Sequence, residues 1–238
     1  MEEILKLTDL HVKIEEAYVL QGVSLSVPEG ELVALLGRNG AGKTTTLESV
    51  LGLRPPFDGE IKFKGESLIG IPPFQIAQRG IGYSPDSARV FSELTVIENL
   101  RMGLLHHKGA KNIEDAYQLF PFLKEHAENQ GRSLSGGEQK LLALARAMVD
   151  ETNDLLLIDE PTEGLSPENT QKVYNALEEV KDRASIMLVA DDLELAKEFA
   201  EEYVILSNGA VKGNGEIKEL VENPEIAEKY LSTGGSKR

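Results

Sequence analysis

The 238-residue sequence contains no cysteine and no tryptophan, and it has no long apolar run. The absence of cysteine excludes disulfide bonds and thiolate metal sites, and it fits a reducing compartment. A membrane-spanning helix needs roughly 18 or more apolar residues in succession, which the sequence nowhere offers. Its first residues also lack the basic and apolar pattern of a secretory signal. We therefore expect a cytoplasmic protein whose contact with a membrane goes through a partner.

Basic residues are also scarce, with 25 lysines and arginines against 40 aspartates and glutamates. The formal net charge of -15 argues against broad binding to nucleic acid or to anionic lipid, because phosphate-rich surfaces would repel the chain. Most of the acidic residues are expected on a solvated surface. The pair His106 and His107 has no metal-ligand spacing and is predicted to lie on the surface. Residues 232–238 are predicted to form a loose tail.

Short apolar runs alternate with helical patterns over much of the chain. Strands are predicted at residues 31–36, 155–158, 185–189 and 203–206, and helices at residues 44–53, 138–149 and 168–180. This alternation is typical of an α/β fold with a parallel sheet. Period-two patterning at residues 4–27 and 60–64 predicts a flanking antiparallel sheet. Residues 94–124 predict a helical insert that is broken at Pro121.

The residues directly after the strand predicted at 31–36 match the pattern of a phosphate-binding loop. They are Gly37, Arg38, Asn39, Gly40, Ala41, Gly42, Lys43 and Thr44, and Thr45 continues into the predicted helix. Glycines let backbone N–H groups turn towards a polyphosphate, and the positive end of the helix dipole adds to the attraction. Lys43 is predicted to reach the β- and γ-phosphates of the bound polyphosphate, and the Thr44 hydroxyl to bind Mg²⁺. The alternative is a glycine-rich turn without a ligand.

Two carboxylates, Asp159 and Glu160, follow the apolar run at residues 155–158. Open α/β sheets bind ligands at the carboxyl ends of their strands. Asp159 is predicted to hold Mg²⁺ through water, and Glu160 to polarise the water that attacks the γ-phosphate. Taken alone this is weak evidence, since many strands end in solvated acids. The phosphate-binding loop strengthens it.

A second turn of small residues opens the helix predicted at 138–149. Ser135, Gly136 and Gly137 precede Glu138, and they present N–H groups and a positive helix dipole much as the first loop does. One chain does not need two phosphate-binding turns for one triphosphate. The second turn therefore suggests that the nucleotide is shared with a second subunit. Taken alone, Ser135 could be only a helix N-cap.

The phosphate-binding loop, then Leu-Ser-Gly-Gly-Glu at residues 134–138, then an apolar strand ending in Asp-Glu-Pro together resemble the nucleotide-binding domains of ABC ATPases. The likeness covers nearly the whole chain. It implies one ATP-binding domain, residues 1–238, with a P-loop NTPase core that contains a parallel sheet, a flanking antiparallel β subdomain and an inserted α-helical subdomain. Residues 1–85 and 151–238 would form the core with its antiparallel part, and residues 86–150 the helical subdomain.

The same resemblance implies cofactors and partners. ATP and Mg²⁺ would bind between two ABC ATPase subunits, identical or different, that pack head to tail. Ser135, Gly136, Gly137 and Glu138 would then belong to the segment that contacts nucleotide held by the opposite subunit. Integral membrane permease subunits would be further partners and, through them, a solute-binding protein. The protein would lie at the cytoplasmic face of the membrane.

Within the family, residues 83–91 running into 94–103 look like the ATPases of branched-chain amino acid importers. Residues 159–167 are similar to the same group and to the urea importer ATPases. Lipopolysaccharide-export ATPases share residues 79–83 but match residues 86–91 less well. The resemblance therefore implies solute import, with branched-chain amino acids preferred over urea or amides, and with lipopolysaccharide export as a further alternative.

Three positions depart from the pattern of the family. Ile14 stands where an aromatic ring usually stacks on adenine, so that only apolar contact remains. Asp86 replaces the glutamine that senses Mg²⁺ and the attacking water, although an acid can still coordinate the metal. Asp191 replaces a histidine that hydrogen-bonds the γ-phosphate, and an ionised aspartate only accepts hydrogen bonds. These residues are candidates for setting the rate of hydrolysis.

Two other functions stay open at this point. The three departures are compatible with a nucleotide-binding regulatory subunit that has little turnover, although Glu160 and the Ser-Gly-Gly turn argue for hydrolysis. A soluble ABC protein of DNA repair or translation is a third alternative. Such chains usually carry a long coiled-coil insertion or two tandem ATPase domains, and this sequence has neither.

Overall fold

The computed structural model describes residues 2–104, 113–191 and 193–231. They form an α/β fold, as the sequence predicts, in two compact units: Met1–Ile76 with Ser185–Arg238, and Ala77–Ala184. His106, His107 and the predicted tail at residues 232–238 lie outside the described residues. The predicted subdomain limits at residues 85 and 150 stay predictions.

Ten strands and ten α-helices follow one another along the described residues. The strands are β1 (Glu3–Ile14), β2 (Ala17–Pro28), β3 (Leu32–Leu36), β4 (Asp58–Phe63), β5 (Glu66–Ser67), β6 (Ile81–Ser84), β7 (Leu155–Asp159), β8 (Ser185–Ala190), β9 (Glu202–Ser207) and β10 (Ala210–Glu216). The helices are α1 (Lys43–Val50), α2 (Pro73–Ala77), α3 (Val96–Gly103), α4 (Glu114–Leu119), α5 (Phe122–Glu125), α6 (Gly136–Met148), α7 (Pro167–Val180), α8 (Glu194–Phe199), α9 (Ile217–Glu222) and α10 (Pro224–Tyr230). A 3-10 turn covers Gly131–Ser133.

Strand β3 is the centre of a parallel arrangement in the first unit. It pairs with β8 and with β9, and β10 adds to β9 in the antiparallel direction. All five residues of β3 are buried, because its sequence carries no polar side chain. Leu36, its last residue, pairs with Ala190 of β8 and Ile205 of β9. The residues that follow these strands therefore lie at one edge of the sheet, where ligands bind in α/β folds.

The antiparallel sheet of the first unit has the strand order β2-β1-β4-β5. Leu5 and Leu7 of β1 are buried, whereas Lys6 and Thr8 are exposed. This alternation follows from the two-residue period of a strand with one face on the core. Leu5 pairs with Phe63 of β4, which joins the two segments that the sequence predicts to pair. The predicted antiparallel sheet is therefore confirmed.

The second unit combines two parallel strands with a helical insert. Strands β6 and β7 pair in parallel, with Ser84 opposite Ile158. Helix α6 packs against β6 and against α3. Pro121 separates α4 from α5, as expected of a residue that cannot continue a helix. The helical character predicted for residues 94–124 is confirmed where the structure describes them, at 94–104 and 113–124.

Some elements have no clear sequence pattern and are not predicted. Strand β6 has only four residues, one of which is Gly82. Strand β10 contains Gly213 and Gly215, and glycine is depleted in strands. The short helices α8, α9 and α10 are likewise not predicted. No helix within the described residues combines the length and the apolar character that crossing a bilayer requires.

Candidate active site

The phosphate-binding loop of the first unit connects β3 to α1. Gly42 is the N-cap of α1, and Lys43 is its first residue. The first turn of α1 carries no acidic residue, so nothing in that turn offsets the positive end of the helix dipole. Arg38, Asn39, Gly40 and Thr44 are exposed, whereas Gly37, Ala41, Gly42, Lys43 and Thr45 are buried.

Two glycines of this loop are required for different physical reasons. At Gly42 a Cβ atom would lie 2.7 Å from Cδ2 of Leu20, so the helix start packs closely on β2. At Gly40 no heavy atom lies within 4 Å of such a Cβ, although the backbone has φ 80°. A side chain at Gly40 would thus be strained through its backbone conformation, although it would meet no neighbouring atom.

Lys43 joins the two ends of the loop. Its side-chain Nζ donates a hydrogen bond to the Gly37 carbonyl at 2.7 Å, and the residue is only 4% exposed. Thr46 Oγ1 donates to the Gly42 carbonyl at 2.9 Å. These bonds give the loop a fixed shape around its backbone donors. A loop of fixed shape that opens a helix and carries one ammonium group suits the binding of a polyphosphate.

Ile14 lies at the tip of the hairpin between β1 and β2. It pairs with Ala17 and is partly exposed. Strand β2 then passes the phosphate-binding loop, because the Val19 carbonyl would lie 3.4 Å from a Cβ on Gly42. The hairpin that carries Ile14 therefore belongs to the surroundings of the loop. Whether an adenine ring contacts Ile14 stays a prediction.

Asp191 lies at the same sheet edge as the start of the loop. It directly follows Ala190 of β8, which pairs with Leu36 of β3, and Gly37 directly follows Leu36. The parallel register thus brings Asp191 alongside Gly37. A negatively charged side chain at this edge affects whatever anion the loop binds.

In the second unit, β7 carries the predicted acidic pair at its carboxyl end. Asp159 is the last residue of β7 and is 1% exposed, and Glu160 is 8% exposed. Glu160 has φ 44°, a left-handed conformation that is uncommon for a residue with a side chain. Asp86 stands two residues beyond Ser84, just as Glu160 stands two residues beyond its partner Ile158. The parallel register therefore brings Asp86 and Glu160 together.

A third carboxylate, Glu163, joins Asp86 and Glu160. One carboxylate oxygen from each of the three lies within 4.8 Å of the others. A side-chain hydrogen bond with Glu160 raises the pKa of Glu163, and burial and the negative charges of Glu160 and Asp86 raise it further. Lys140 opposes this rise. Its Nζ donates to the Glu163 carbonyl at 2.9 Å and lies 3.5 Å from Asp86 Oδ1.

The turn before α6 has the form of a capping box. Ser135 is the N-cap, and its Oγ accepts a hydrogen bond from the Glu138 amide, while Glu138 Oε2 accepts one from the Ser135 amide. Hydrogen bonds from the Ser135 side chain and backbone lower the pKa of Glu138. A Cβ on Gly136 would meet no heavy atom within 4 Å, whereas one on Gly137 would lie 2.7 Å from Asn169 Nδ2. The N-cap alternative for Ser135 is therefore confirmed as a structural role, and it leaves a nucleotide role open.

The sequence interpretation does not include Lys140 or Glu163. Lys140 follows the Ser-Gly-Gly turn on α6, yet its ion-pair partner Asp86 is 54 residues away, so no local pattern reveals the contact. Glu163 lies three residues after Glu160, and the hydrogen bond from its amide to the Glu160 carbonyl, at 3.3 Å, forms a turn that returns its side chain to Glu160. The spacing of these two glutamates was the one available signal.

Comparisons with known proteins agree with this geometry. The family model described as ABC transporter matches residues 20–163. The high-affinity branched-chain amino acid transport ATP-binding protein BraG of Pseudomonas aeruginosa is 37% identical over 221 residues, which cover 89% of this chain and 92% of that protein. The probable branched-chain amino acid transport ATP-binding protein LivF of Archaeoglobus fulgidus is 31% identical over 228 residues, covering 94% and 96%.

Solved structures give the same answer for the fold. A structure described as the ATP binding subunit of an ABC transporter superposes with a TM-score of 0.82 at 29% identity, covering 96% of each chain. The ADP conformation of MJ1267, an ATP-binding cassette of an ABC transporter, superposes with a TM-score of 0.81 at 25% identity. It covers 98% of this chain and 100% of that one. The chain belongs to the ABC transporter family as an ATP-binding subunit, the component that hydrolyses ATP to drive transport.

Proposed function

We propose that this chain energises the import of branched-chain amino acids by hydrolysing ATP as one of a pair of ATPase subunits. The main support for this solute class is the 37% identity with BraG over 89% of the chain, because the name of that protein describes branched-chain amino acid transport. The likeness to LivF over 94% of the chain supports the same solute class.

The phosphate-binding loop is proposed to bind the β- and γ-phosphates of ATP. Its glycine-rich backbone and the dipole of α1, whose first turn carries no acidic residue, favour a polyanion. Lys43 supplies the ammonium group that compensates phosphate charge. Arg38, Asn39, Ala41 and Thr45 shape the loop and the first turn of the helix, and Ile14 offers apolar contact to the base.

Mg²⁺ is proposed as the cofactor. The exposed Thr44 hydroxyl and the carboxylates of Asp159 and Asp86 are hard oxygen donors, the ligand type that Mg²⁺ prefers, so the residues present fit this ion. When bound, the ion would offset the charge of the phosphates. Glu160, held at the end of β7, polarises the attacking water as general base. Asp191 influences the rate through its charge beside the loop.

A second ABC ATPase subunit is proposed to complete each site. Ser135, Gly136 and Gly137 would contact the nucleotide bound by the opposite subunit, since they form a second cradle at the start of a 13-residue helix. Integral membrane permease subunits, and through them a solute-binding protein, are the further partners proposed. The chain would then lie at the cytoplasmic face of the membrane.

Reconstitution tests the proposal. The chain, its neighbouring permease subunits and their solute-binding protein are placed in liposomes, and ATP-dependent uptake of labelled leucine and urea is measured beside phosphate release. We expect leucine uptake with the natural chain and neither uptake nor release with Glu160→Gln. Urea uptake without leucine uptake would contradict the proposed solute class.

A second experiment tests the pairing of subunits. In excess ATP and Mg²⁺, the Glu160→Gln chain should form a dimer, either with itself or with its companion ATPase subunit. A chain that stays monomeric in both cases would contradict the proposed pairing.

A regulatory subunit is the second candidate function. The observation that favours it is the presence of two acidic residues, Asp86 and Asp191. The first replaces a glutamine that would sense Mg²⁺ and the attacking water, and the second replaces a histidine that would hydrogen-bond the γ-phosphate. Such a chain would bind ATP and pair without useful turnover. Steady-state phosphate release equal to that of Glu160→Gln would favour this candidate over the first.

A further inference from the structure

Lys140 occupies an unusual position among the acidic residues of the second unit. It lies on α6, five residues after Ser135, and its side chain is only 12% exposed. Its Nζ donates to the backbone carbonyl of Glu163 at 2.9 Å and lies 3.5 Å from Asp86 Oδ1. One ammonium group thus joins the loop after β6 to the turn after β7. The lysine stem is packed rather than free in solvent, so the contact is a fixed one.

Glu160 and Glu163 share a side-chain hydrogen bond, and the Asp86 carboxylate is repelled by the negative charge of this pair. Oxygens of Asp86, Glu160 and Glu163 come within 4.8 Å of each other. Like charges at this separation favour conformations that move them apart. Glu160 is buried at the end of β7 and has little freedom, whereas the side chain of Asp86 is 49% exposed. Asp86 is therefore the group that repulsion would turn towards solvent.

We propose that Lys140 is a positioning residue, which holds the Asp86 carboxylate against the turn that carries Glu160 and Glu163. The inference rests on the proposed function only in that Asp86 and Glu160 serve hydrolysis. A glutamine at position 86 would be neutral and would need no such clamp. The requirement for Lys140 is therefore created by Asp86, and the two residues form one functional pair.

A double-mutant cycle tests this pair. Lys140→Met keeps the aliphatic stem and removes the charge, and it is made in the natural chain and in the Asp86→Gln chain. We expect kcat for ATP hydrolysis to fall roughly 5- to 10-fold in the natural chain but less than about twofold in the Asp86→Gln chain. Affinity for ATP without Mg²⁺, measured in EDTA, should stay within about twofold in both, because the phosphate-binding loop is unchanged. A general defect of folding would lower both quantities in both chains.

Matched variants keep the result interpretable. Lys181→Met removes another lysine of the same unit, paired with Glu178 at 2.8 Å on the surface, and should leave kcat unchanged. Lys140→Gln provides a second charge-removing variant if the methionine chain fails to fold, and it should show the same coupling. Equal losses of kcat in the natural chain and in the Asp86→Gln chain would overturn the inference. If the natural chain itself releases no more phosphate than Glu160→Gln, the proposed function fails instead, and the two failures are distinct.

Discussion

Ser135 and Glu138 satisfy each other's polar groups at the start of α6. The Ser135 amide and hydroxyl each donate to Glu138 Oε2 at 2.8 Å, and the Glu138 amide donates to Ser135 Oγ at 3.3 Å. The pair fixes the direction in which the turn presents Gly136 and Gly137. One serine therefore has a structural role and, in the proposed pairing of subunits, a nucleotide-binding role. The two roles can be separated by measurement.

Ser135→Ala is predicted to reduce both stability and turnover. Loss of an N-cap costs about 1 kcal/mol of unfolding free energy. Loss of the hydroxyl also removes the O–H that, in the proposed pairing of subunits, would turn from Glu138 Oε2 to the nucleotide of the opposite subunit. Thr95→Ala is the matched control, because Thr95 and Glu98 form the same capping box on α3. Urea unfolding should show similar losses for both variants, whereas phosphate release should fall only for Ser135→Ala. An equal fall for Thr95→Ala would assign the effect on turnover to stability alone.

Gly40→Ala is predicted to weaken ATP binding beyond its effect on folding. Placing alanine at φ 80° costs about 1 kcal/mol, and the new methyl group enters the open space of the phosphate-binding loop. Gly30→Ala is the control, since Gly30 has φ 78° and equally open surroundings but lies outside the loop. Thermal unfolding should shift alike in both variants, and only Gly40→Ala should raise the Kd for ATP. A similar rise for Gly30→Ala would contradict the role given to Gly40.

Much of the fold could be predicted because its central elements have local patterns. Strands β3 and β7 are apolar runs that end in a glycine or in acids, and α1 follows a loop whose glycines are required by backbone conformation and packing. Strand β6 could not be predicted, since four residues with Gly82 in second place show no period. Its place in the sheet comes from the parallel pairing with β7, which a local pattern does not contain.

The candidate site likewise contains residues that the sequence predicts and residues that only the fold reveals. Gly37 to Thr44 and Asp159 to Glu160 are contiguous motifs, so their residue types and order are visible in the sequence. The contact of Lys140 with Asp86 joins residues 54 positions apart and depends on how α6 packs on β6. Ser135 could be interpreted as an N-cap or as a nucleotide contact, and only the capping geometry is directly visible in the structure. Long-range contacts such as that of Lys140 with Asp86 could therefore be identified only in the folded structure.

Ile14→Tyr is predicted to tighten ATP binding. A ring at the hairpin tip could stack on adenine, and such contacts contribute about 0.5–1.5 kcal/mol, or roughly 2- to 10-fold in Kd. Ile14→Leu is the control, because it keeps an apolar side chain of the same size without a ring. Titration calorimetry with ATP and with inorganic triphosphate separates base from phosphate contacts. A gain that appears equally with triphosphate would show that the tyrosine does not contact the base.

Asp191→His is predicted to raise the rate of hydrolysis. Asp191 stands beside Gly37 through the pairing of Ala190 with Leu36, so its side chain lies at the edge where the phosphate-binding loop begins. Ionised aspartate offers only acceptors and a negative charge, whereas an imidazole can donate to the γ-phosphate. A hydrogen bond to a charged group contributes roughly 1.5–3 kcal/mol, which would correspond to about 10-fold or more if it acted fully in the transition state.

Asp191→Ala separates the two causes of that expected gain. It removes the negative charge without adding a donor, so it should raise phosphate release less than Asp191→His does. The measurement is steady-state release at saturating ATP and Mg²⁺, with Glu160→Gln defining the background. An equal gain for alanine and histidine would assign the whole effect to charge, and then Asp191 would slow the enzyme by repulsion alone. Release from Asp191→His that stays at or below that of the natural chain would contradict both explanations, because neither the lost repulsion nor the added donor would then matter at this edge.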